Sequence, residues 1–340
     1  MSVAPLHVAC VGAGYFSQFH YGAWARHPDV VCVGSTDRQI DAAKSTGLPA
    51  FSDLSVMLAA TEPDILDVIL PPVAHREAVT TALDMGVKTI ICQKPFCADL
   101  QEAIALTDHA ERVGARLIVH ENFRFMPWYR AIKSEIISGC IGTPLQASFR
   151  LRPGDGQGPE AYLDRQPYVQ KMPKFLIHET GVHWIDTFRY LFGNPTAVYA
   201  DLRQINPAIK GEDAGFVIFD HPEGLRALFD GNRHCDHMAD NQRRTMGEAF
   251  FEGTKGVMTL KGDGSVSFRA HGEMTAQSVL PPDSWDGFGG DCVFHLQNHV
   301  VAGMRGLGPF ENEARDYLEV IRIKDAIYRS AETGQKIWLT

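Results

Sequence analysis

The sequence predicts an α/β chain in two parts: an amino-terminal domain with a parallel sheet, then an α/β domain on a large, mostly antiparallel open sheet. Three observations lead there. Between Leu6 and His120, short β-rich runs alternate with helical segments, as in a parallel α/β sheet. From Leu145 onward, strand-like runs follow one another across turns such as His221-Pro222-Glu223-Gly224 and Gly262-Asp263-Gly264, the pattern of antiparallel pairing. A glycine-rich turn closes the very first apolar run.

In order, the first part carries strands over 6–11, 30–36, 65–70, 87–92 and 116–120. Segments of helical composition lie between or after them at 15–26, 38–46, 52–60, 74–85 and 99–113; Asp99 suits an N-cap and Gly114 a stop. In the second part the strands are Leu145–Arg152, Ala197–Gln204, Ala214–Asp220, Gly224–Asp230, Glu248–Glu252, Gly256–Lys261 and Ser265–Ala270. One helix interrupts them, His183 to Phe192, with Trp184, Ile185, Phe188 and Leu191 on its apolar side and Gly193-Asn194-Pro195 ending it. A last helix covers 313–331 and stops at Gly334. The domains read as 1–124 and 125–340, with the last helix able to pack back on the first domain. So few helices leave a large sheet partly uncovered, and one of its faces is expected to pack against another subunit in a homodimer or homotetramer.

At 340 residues the chain can build two cores. A net charge of −9 with no sustained Lys/Arg run argues against nucleic acid or an anionic membrane surface as partner. Seven scattered cysteines without a C-x-x-C pair read as reduced thiols, and no apolar stretch approaches the ~20 residues of a membrane span. A cytoplasmic location is expected.

The turn Gly12-Ala13-Gly14-Tyr15-Phe16-Ser17 follows a strand and precedes a helix, which aims backbone N–H groups at a helix N-terminus and suits a pyrophosphate. This is the dinucleotide-binding (Rossmann) arrangement, with Ser17 in place of the third glycine. Asp37 ends the next strand, where a carboxylate would accept hydrogen bonds from the adenosine ribose and repel a 2′-phosphate; NAD is favoured over NADP. Arg38, next along, could stack on adenine or tolerate a 2′-phosphate. Pro71 and His75 follow the third strand, beyond the carboxyl ends where ligands bind. Cys92-Gln93-Lys94-Pro95 ends the fourth strand, and a lysine held there beside a nicotinamide suits proton transfer.

His178-Glu179-Thr180-Gly181-Val182-His183-Trp184-Ile185-Asp186 forms a third group. Glu179, His183 and Asp186 share a face if the segment is helical. The two histidines are five residues apart, not four, so the zincin pattern fails; a histidine taking a substrate hydroxyl proton, oriented by a carboxylate, fits better.

Together these pieces resemble the Gfo/Idh/MocA oxidoreductase family across essentially the whole chain. The motifs that carry the likeness are Gly12-Ala13-Gly14 with His20, Pro71-Pro72-x-x-His75, Lys94-Pro95, Asn122-Phe123-Arg124-Phe125, Glu179-x-x-x-His183-x-x-Asp186 and Glu252-Gly253-Thr254-Lys255-Gly256. The resemblance implies NAD-dependent oxidation of a hydroxyl on a sugar, polyol or sugar acid. Lys94 and His183 would be the catalytic pair with Glu179 beside them, and Tyr15, Phe16, Gln93 and Asn122 would join the cofactor site. Gln93 stands where the family commonly has glutamate, and Glu179 where it usually has aspartate. His178, Glu179 and His183 could offer mixed N/O ligands to a divalent ion such as magnesium, and this variation resembles the D-apionate oxidoisomerase-like members, which couple oxidation to rearrangement of a branched sugar acid. Arg124, Arg150, Arg152 and Arg165 are candidate counter-charges for a substrate carboxylate, with Tyr168 a further substrate contact. Two alternatives stand beside this reading: a non-catalytic NAD-sensing regulator, and a sugar–sugar oxidoreductase with a tightly held cofactor.

Overall fold

The structure, a computed structural model, describes residues 4–339. The chain divides into two compact units. One runs to Asn122 and includes Val293–Ile321; the other holds Phe123–Cys292 and resumes at Arg322.

The first unit opens with β1 (Leu6–Val11), α1 (Ser17–Arg26), β2 (Val30–Thr36), α2 (Ile40–Ser45), β3 (Ala50–Phe51) and α3 (Leu54–Thr61). It continues with β4 (Ile65–Val68), α4 (His75–Asp84), β5 (Thr89–Gln93), α5 (Leu100–Arg112) and β6 (Arg116–His120). All six strands are parallel, in the order β3-β2-β1-β4-β5-β6. That order reverses between β1 and β4, the switch point where a doubly wound sheet binds its ligand. Strands β4 and β5 are buried along their whole length, which is why they read as nearly unbroken apolar runs. Two of the expected strands shift: the third ends at Val68, because the chain turns at Ile69 towards Pro71, and the fourth lies two residues later at its start and reaches Gln93. The two-residue β3 is an addition.

In the second unit, α6 (Pro127–Ile137) and β7 (Pro144–Leu151) precede a π-helical turn, Leu176–Gly181, that runs into α7 (Val182–Phe192). Strands β8 (Ala197–Arg203), β9 (Ala214–Asp220), β10 (Arg226–Asn232), β11 (Gly247–Gly253), β12 (Gly256–Leu260), β13 (Val266–Ala270) and β14 (Gln277–Leu280) follow. The chain then forms α8 (Cys292–Met304), α9 (Ala314–Thr333) and β15 (Ile337–Trp338). The nine-stranded sheet runs β14-β13-β12-β11-β7-β10-β9-β8-β15, antiparallel except for β7 with β10. That pair is parallel because the chain leaves β7 and returns beside it only after α7 and the β8–β9 hairpin. Two helices had no counterpart in the expected pattern. Helix α6 starts on Pro127, which suits a first helical position, and α8 carries three valines and a phenylalanine, which favour strands locally.

Register divides this sheet into two faces. The cross-strand row Ala200–Val217–Phe229–Phe149–Ala249–Leu260 is buried throughout. Helix α7 covers it: Trp184 lies 4.3 Å from Phe149 and 5.4 Å from Phe229, and Phe188 5.6 Å from Phe219, centroid to centroid. One residue along, the row Tyr199–Ile218–Leu228–Ser148–Phe250–Thr259 faces outward, partly or fully exposed. Among the described residues, no helix is long and apolar enough to cross a membrane.

Candidate active site

In the first unit the cradle is built where β1 meets α1. Gly12 has φ +104°, and a Cβ there would lie 2.3 Å from the carbonyl oxygen of Ile69. No other residue lets this turn approach the end of β4 so closely. Gly14 is open, with nothing within 4 Å of the point a Cβ would occupy, and it leaves the backbone approachable at the mouth of α1. Ser17 fills the third motif position by turning its hydroxyl back to the carbonyl of Gly14 at 2.6 Å, so the helix starts without a glycine. Asp37 is half-buried at the end of β2; its carboxylate accepts from Ala13 N at 2.9 Å and Gln39 N at 2.8 Å. The acid is therefore pinned beside the glycine turn, as a ribose-binding carboxylate must be. Tyr15, Arg38 and Pro71 are exposed and Phe16 is half-buried; Asn122, the last residue of this stretch, is buried. Glycine turn, open helix mouth and acid together fit a dinucleotide.

Two nominated cofactor residues turn out to be committed within the protein. His75 is fully buried, its ring nitrogens 2.7 Å from the carbonyl oxygen of Leu70 and 3.1 Å from that of Phe96. Burial lowers its pKa, opposed by those backbone partners. It clamps the end of β4 to the chain just past Lys94-Pro95. Gln93 is buried too: its Oε1 accepts from Lys94 N at 2.7 Å and its Nε2 lies 3.0 Å from His20 Nε2. Lys94 itself is half-buried at the carboxyl end of β5.

In the second unit, His183 is buried in the first turn of α7, and its ring lies flat on Phe123, centroids 3.7 Å apart and planes 3° from parallel. Glu179 sits in the π-helical turn, whose i→i+5 bonding displaces it from the α-helical face the spacing implied. Its carboxylate accepts from the Thr180 hydroxyl at 2.6 Å and lies 3.9 Å from Arg233. Asp186 is not part of a catalytic face: it is fully buried and forms a two-pronged pair with Arg124, at 2.6 and 2.8 Å. Among the described residues no three His, Cys, Asp or Glu side chains come together to hold an ion. His178, Glu179 and His183 therefore do not assemble as the expected ligand set, because Glu179 is turned to Thr180 and Arg233 while the imidazole of His183 lies against Phe123.

The nominated arginines are already matched by carboxylates. Besides Arg124, Arg152 meets Asp230 at 2.6 Å, Arg165 meets Asp155 at 2.5 Å, and Arg150 reaches Glu248 at 4.0 Å. Tyr168 is exposed, its hydroxyl accepting from Gln166 at 2.9 Å. Sequence reasoning missed Arg233, which is buried over the rings of Tyr162 and Phe175 and reaches Asp155 and Thr180. It also missed Glu212, whose carboxylate accepts from Phe175 N, Ile177 N and the Tyr328 hydroxyl, while that hydroxyl accepts from His178 N. Glu212 holds the start of the π-helical turn, and Arg233 meets its second half at Thr180. No local signal marks them; each meets its partners only through long-range folding. Asp67, by contrast, had one: a lone charge inside the apolar run Ile65–Leu70.

Comparison with known proteins agrees with this geometry. Residues 6–121 match the family model described as an oxidoreductase family with an NAD-binding Rossmann fold, and residues 129–259 match the GFO/IDH/MocA C-terminal domain. A D-apiose dehydrogenase of Paraburkholderia graminis is 31% identical over 97% of this chain and 89% of its own. The chain belongs to the Gfo/Idh/MocA family of oxidoreductases. A second relative, a D-apiose dehydrogenase of Rhizobium rhizogenes, is 26% identical over 99% of this chain and 98% of its own. Among solved structures, an oxidoreductase from Agrobacterium radiobacter in complex with NAD+, L-tartaric acid and magnesium superposes with a TM-score of 0.88. It is 26% identical and covers 98% of both chains. Membership makes this chain an oxidoreductase with an NAD-binding domain.

Proposed function

We propose that this protein is an NAD-dependent dehydrogenase that oxidises a hydroxyl of an uncharged sugar or polyol. One observation carries the choice of substrate class: of the four arginines nominated for a sugar acid's carboxylate, Arg124, Arg152 and Arg165 are held at 2.5–2.6 Å by carboxylates of the protein's own, and Arg150 lies 4.0 Å from Glu248. Drawing one away would leave its partner uncompensated, most severely for the buried Asp186. The D-apiose dehydrogenase relatives support the same class.

NAD, when bound, supplies a hydride acceptor at nicotinamide C4. In this reading His183 takes the hydroxyl proton, its ring orientation set by the flat contact with Phe123. Lys94, at the end of β5, polarises the developing carbonyl. Glu179 stands as the carboxylate that tunes the imidazole's surroundings. Keeping both Lys94 and His183 argues against a pure NAD sensor, which needs neither. The outward row of the nine-stranded sheet, with Tyr199 and Phe250, supports a homo-oligomer.

The test follows reduced-nicotinamide absorbance with NAD and a panel of neutral sugars, D-apiose among them, against sugar acids. Turnover of neutral sugars, lost by about 100-fold or more in both Lys94→Ala and His183→Ala, is expected; preference for a sugar acid overturns the substrate class. A second reading, metal-assisted oxidation and rearrangement of a branched sugar acid such as D-apionate, draws on the tartaric acid and magnesium of the Agrobacterium radiobacter protein. The described residues here do not gather an ion-binding set. Sugar-acid turnover abolished by a chelator and restored by magnesium would favour that second reading.

A further inference from the structure

Beneath Lys94 lies a file of hydrogen bonds whose direction can be worked out from one end. A backbone N–H can only donate, so the Gln93 atom 2.7 Å from Lys94 N is its carbonyl oxygen. The other end of the amide is then its NH2, a donor only, and it stands 3.0 Å from His20 Nε2. That nitrogen must accept, which leaves the ring proton on Nδ1. Nδ1 in turn lies 2.8 Å from Asp67 Oδ2, an oxygen that also accepts from Trp24 Nε1 at 2.8 Å. Asp67 and His20 are fully buried and Gln93 nearly so. The imidazole also lies beside His120 and Phe16, ring centroids 4.1 and 5.7 Å away; Gln297 holds the backbone carbonyl of His20 at 3.3 Å.

We infer that Gln93 is a positioning residue rather than a cofactor contact: the file Lys94 N–H to Gln93 to His20 to Asp67 sets the direction of the Lys94 peptide and holds His20 as its Nδ1–H tautomer. The inference deepens the proposed role of Lys94 and rests on that reading for its catalytic consequence alone. An ionised glutamate at 93 cannot preserve the file. Its carboxylate would still accept from Lys94 N, but its second oxygen would face a nitrogen that has no proton to give. The second oxygen of Asp67, Oδ1, is buried without a hydrogen-bond partner, so another negative charge nearby is poorly tolerated. Restoring the contact takes one additional proton, held either on His20 Nε2 or on the glutamate itself, whose O–H would then stand where the amide NH2 stands. The amide at this position completes the file without that proton.

The experiment uses full-length protein with 15N-labelled histidine and reads two-bond 1H–15N correlations of the imidazoles near neutral pH, without substrate. The wild type should show His20, assigned from the signal that moves in Gln93→Met, with the Nδ1–H pattern; Gln93→Met fills the space but breaks the file. An Nε2–H or doubly protonated His20 in the wild type overturns the inference. So does a Gln93→Met spectrum in which no imidazole signal moves. If Gln93→Met does not fold, the signal lost in His20→Asn makes the assignment. In turnover, Gln93→Met should lower kcat about 10-fold to 100-fold with little change in KM for NAD; an unchanged kcat refutes the positioning role. Should the protein oxidise no sugar at all while His20 keeps the Nδ1–H pattern, the dehydrogenase reading fails and the hydrogen-bond file stands.

Discussion

Lys94 and His183 are held by different physics. Around Lys94, a glutamine and a histidine pass hydrogen bonds in single file to one buried carboxylate, and His75 clamps the backbone nearby. Around His183, charges are held in opposed pairs: Arg124 with Asp186, and Arg165 and Arg233 with Asp155. A hydrogen-bond file orients its members strictly but tolerates no change of donor into acceptor. Ion pairs tolerate rearrangement less through direction than through charge, since removing one member strands the other in a poorly solvated place.

The sharpest way to break this contrast is Asp186→Ala. Arg124 would be left buried without its two-pronged partner, and urea unfolding should lose about 3–5 kcal/mol. A loss below about 1 kcal/mol would mean the pair is not what frames α7. Gly12→Ala attacks the other unit by crowding instead of charge, combining a positive φ with a first side-chain carbon 2.3 Å from a carbonyl oxygen. About 2–4 kcal/mol of stability should go, with NAD binding weakened in calorimetric titration. Unaltered NAD affinity would count against the cradle.

His221 gives the finest test, because it sits in the charge-rich unit yet has no hydrogen-bond partner for either ring nitrogen. Burial pushes its pKa down to about 4, against a weaker upward pull from Asp220. The unfolded chain therefore takes up this proton first as pH falls. The stability that neutral His221 contributes is complete above its ordinary value of 6.5, declines as pH drops from there to about 4, and changes no further below. His221→Phe should flatten that part of a plot of unfolding free energy against pH by about 3 kcal/mol. An identical slope in both proteins would show that the imidazole is not kept neutral by its burial.

How much of this was legible varies residue by residue. The glycine turn, Asp37 and Lys94 could be read because each lies at a strand end, and strand ends in a parallel sheet face the ligand whatever the details of packing. Asp186 was read only as sharing a face with Glu179 and His183; spacing along a helix does not say which residue finds an arginine. Glu179 was misplaced by the π-helical turn, which periodicity does not reveal. Gln93 was read as a departure near the cofactor, whereas its side chain turns inward to His20.

Local pattern alone was enough for the existence of two sheets, the parallel order of the first and the alternation of the second, because burial on both faces or on one leaves its mark on every strand. Long-range folding decided the rest: the parallel pairing of β7 with β10, the seat of α8, and the partners that neutralise each buried charge. Those depend on which distant groups arrive side by side, and a carboxylate's sequence neighbours carry no record of the guanidinium that will meet it.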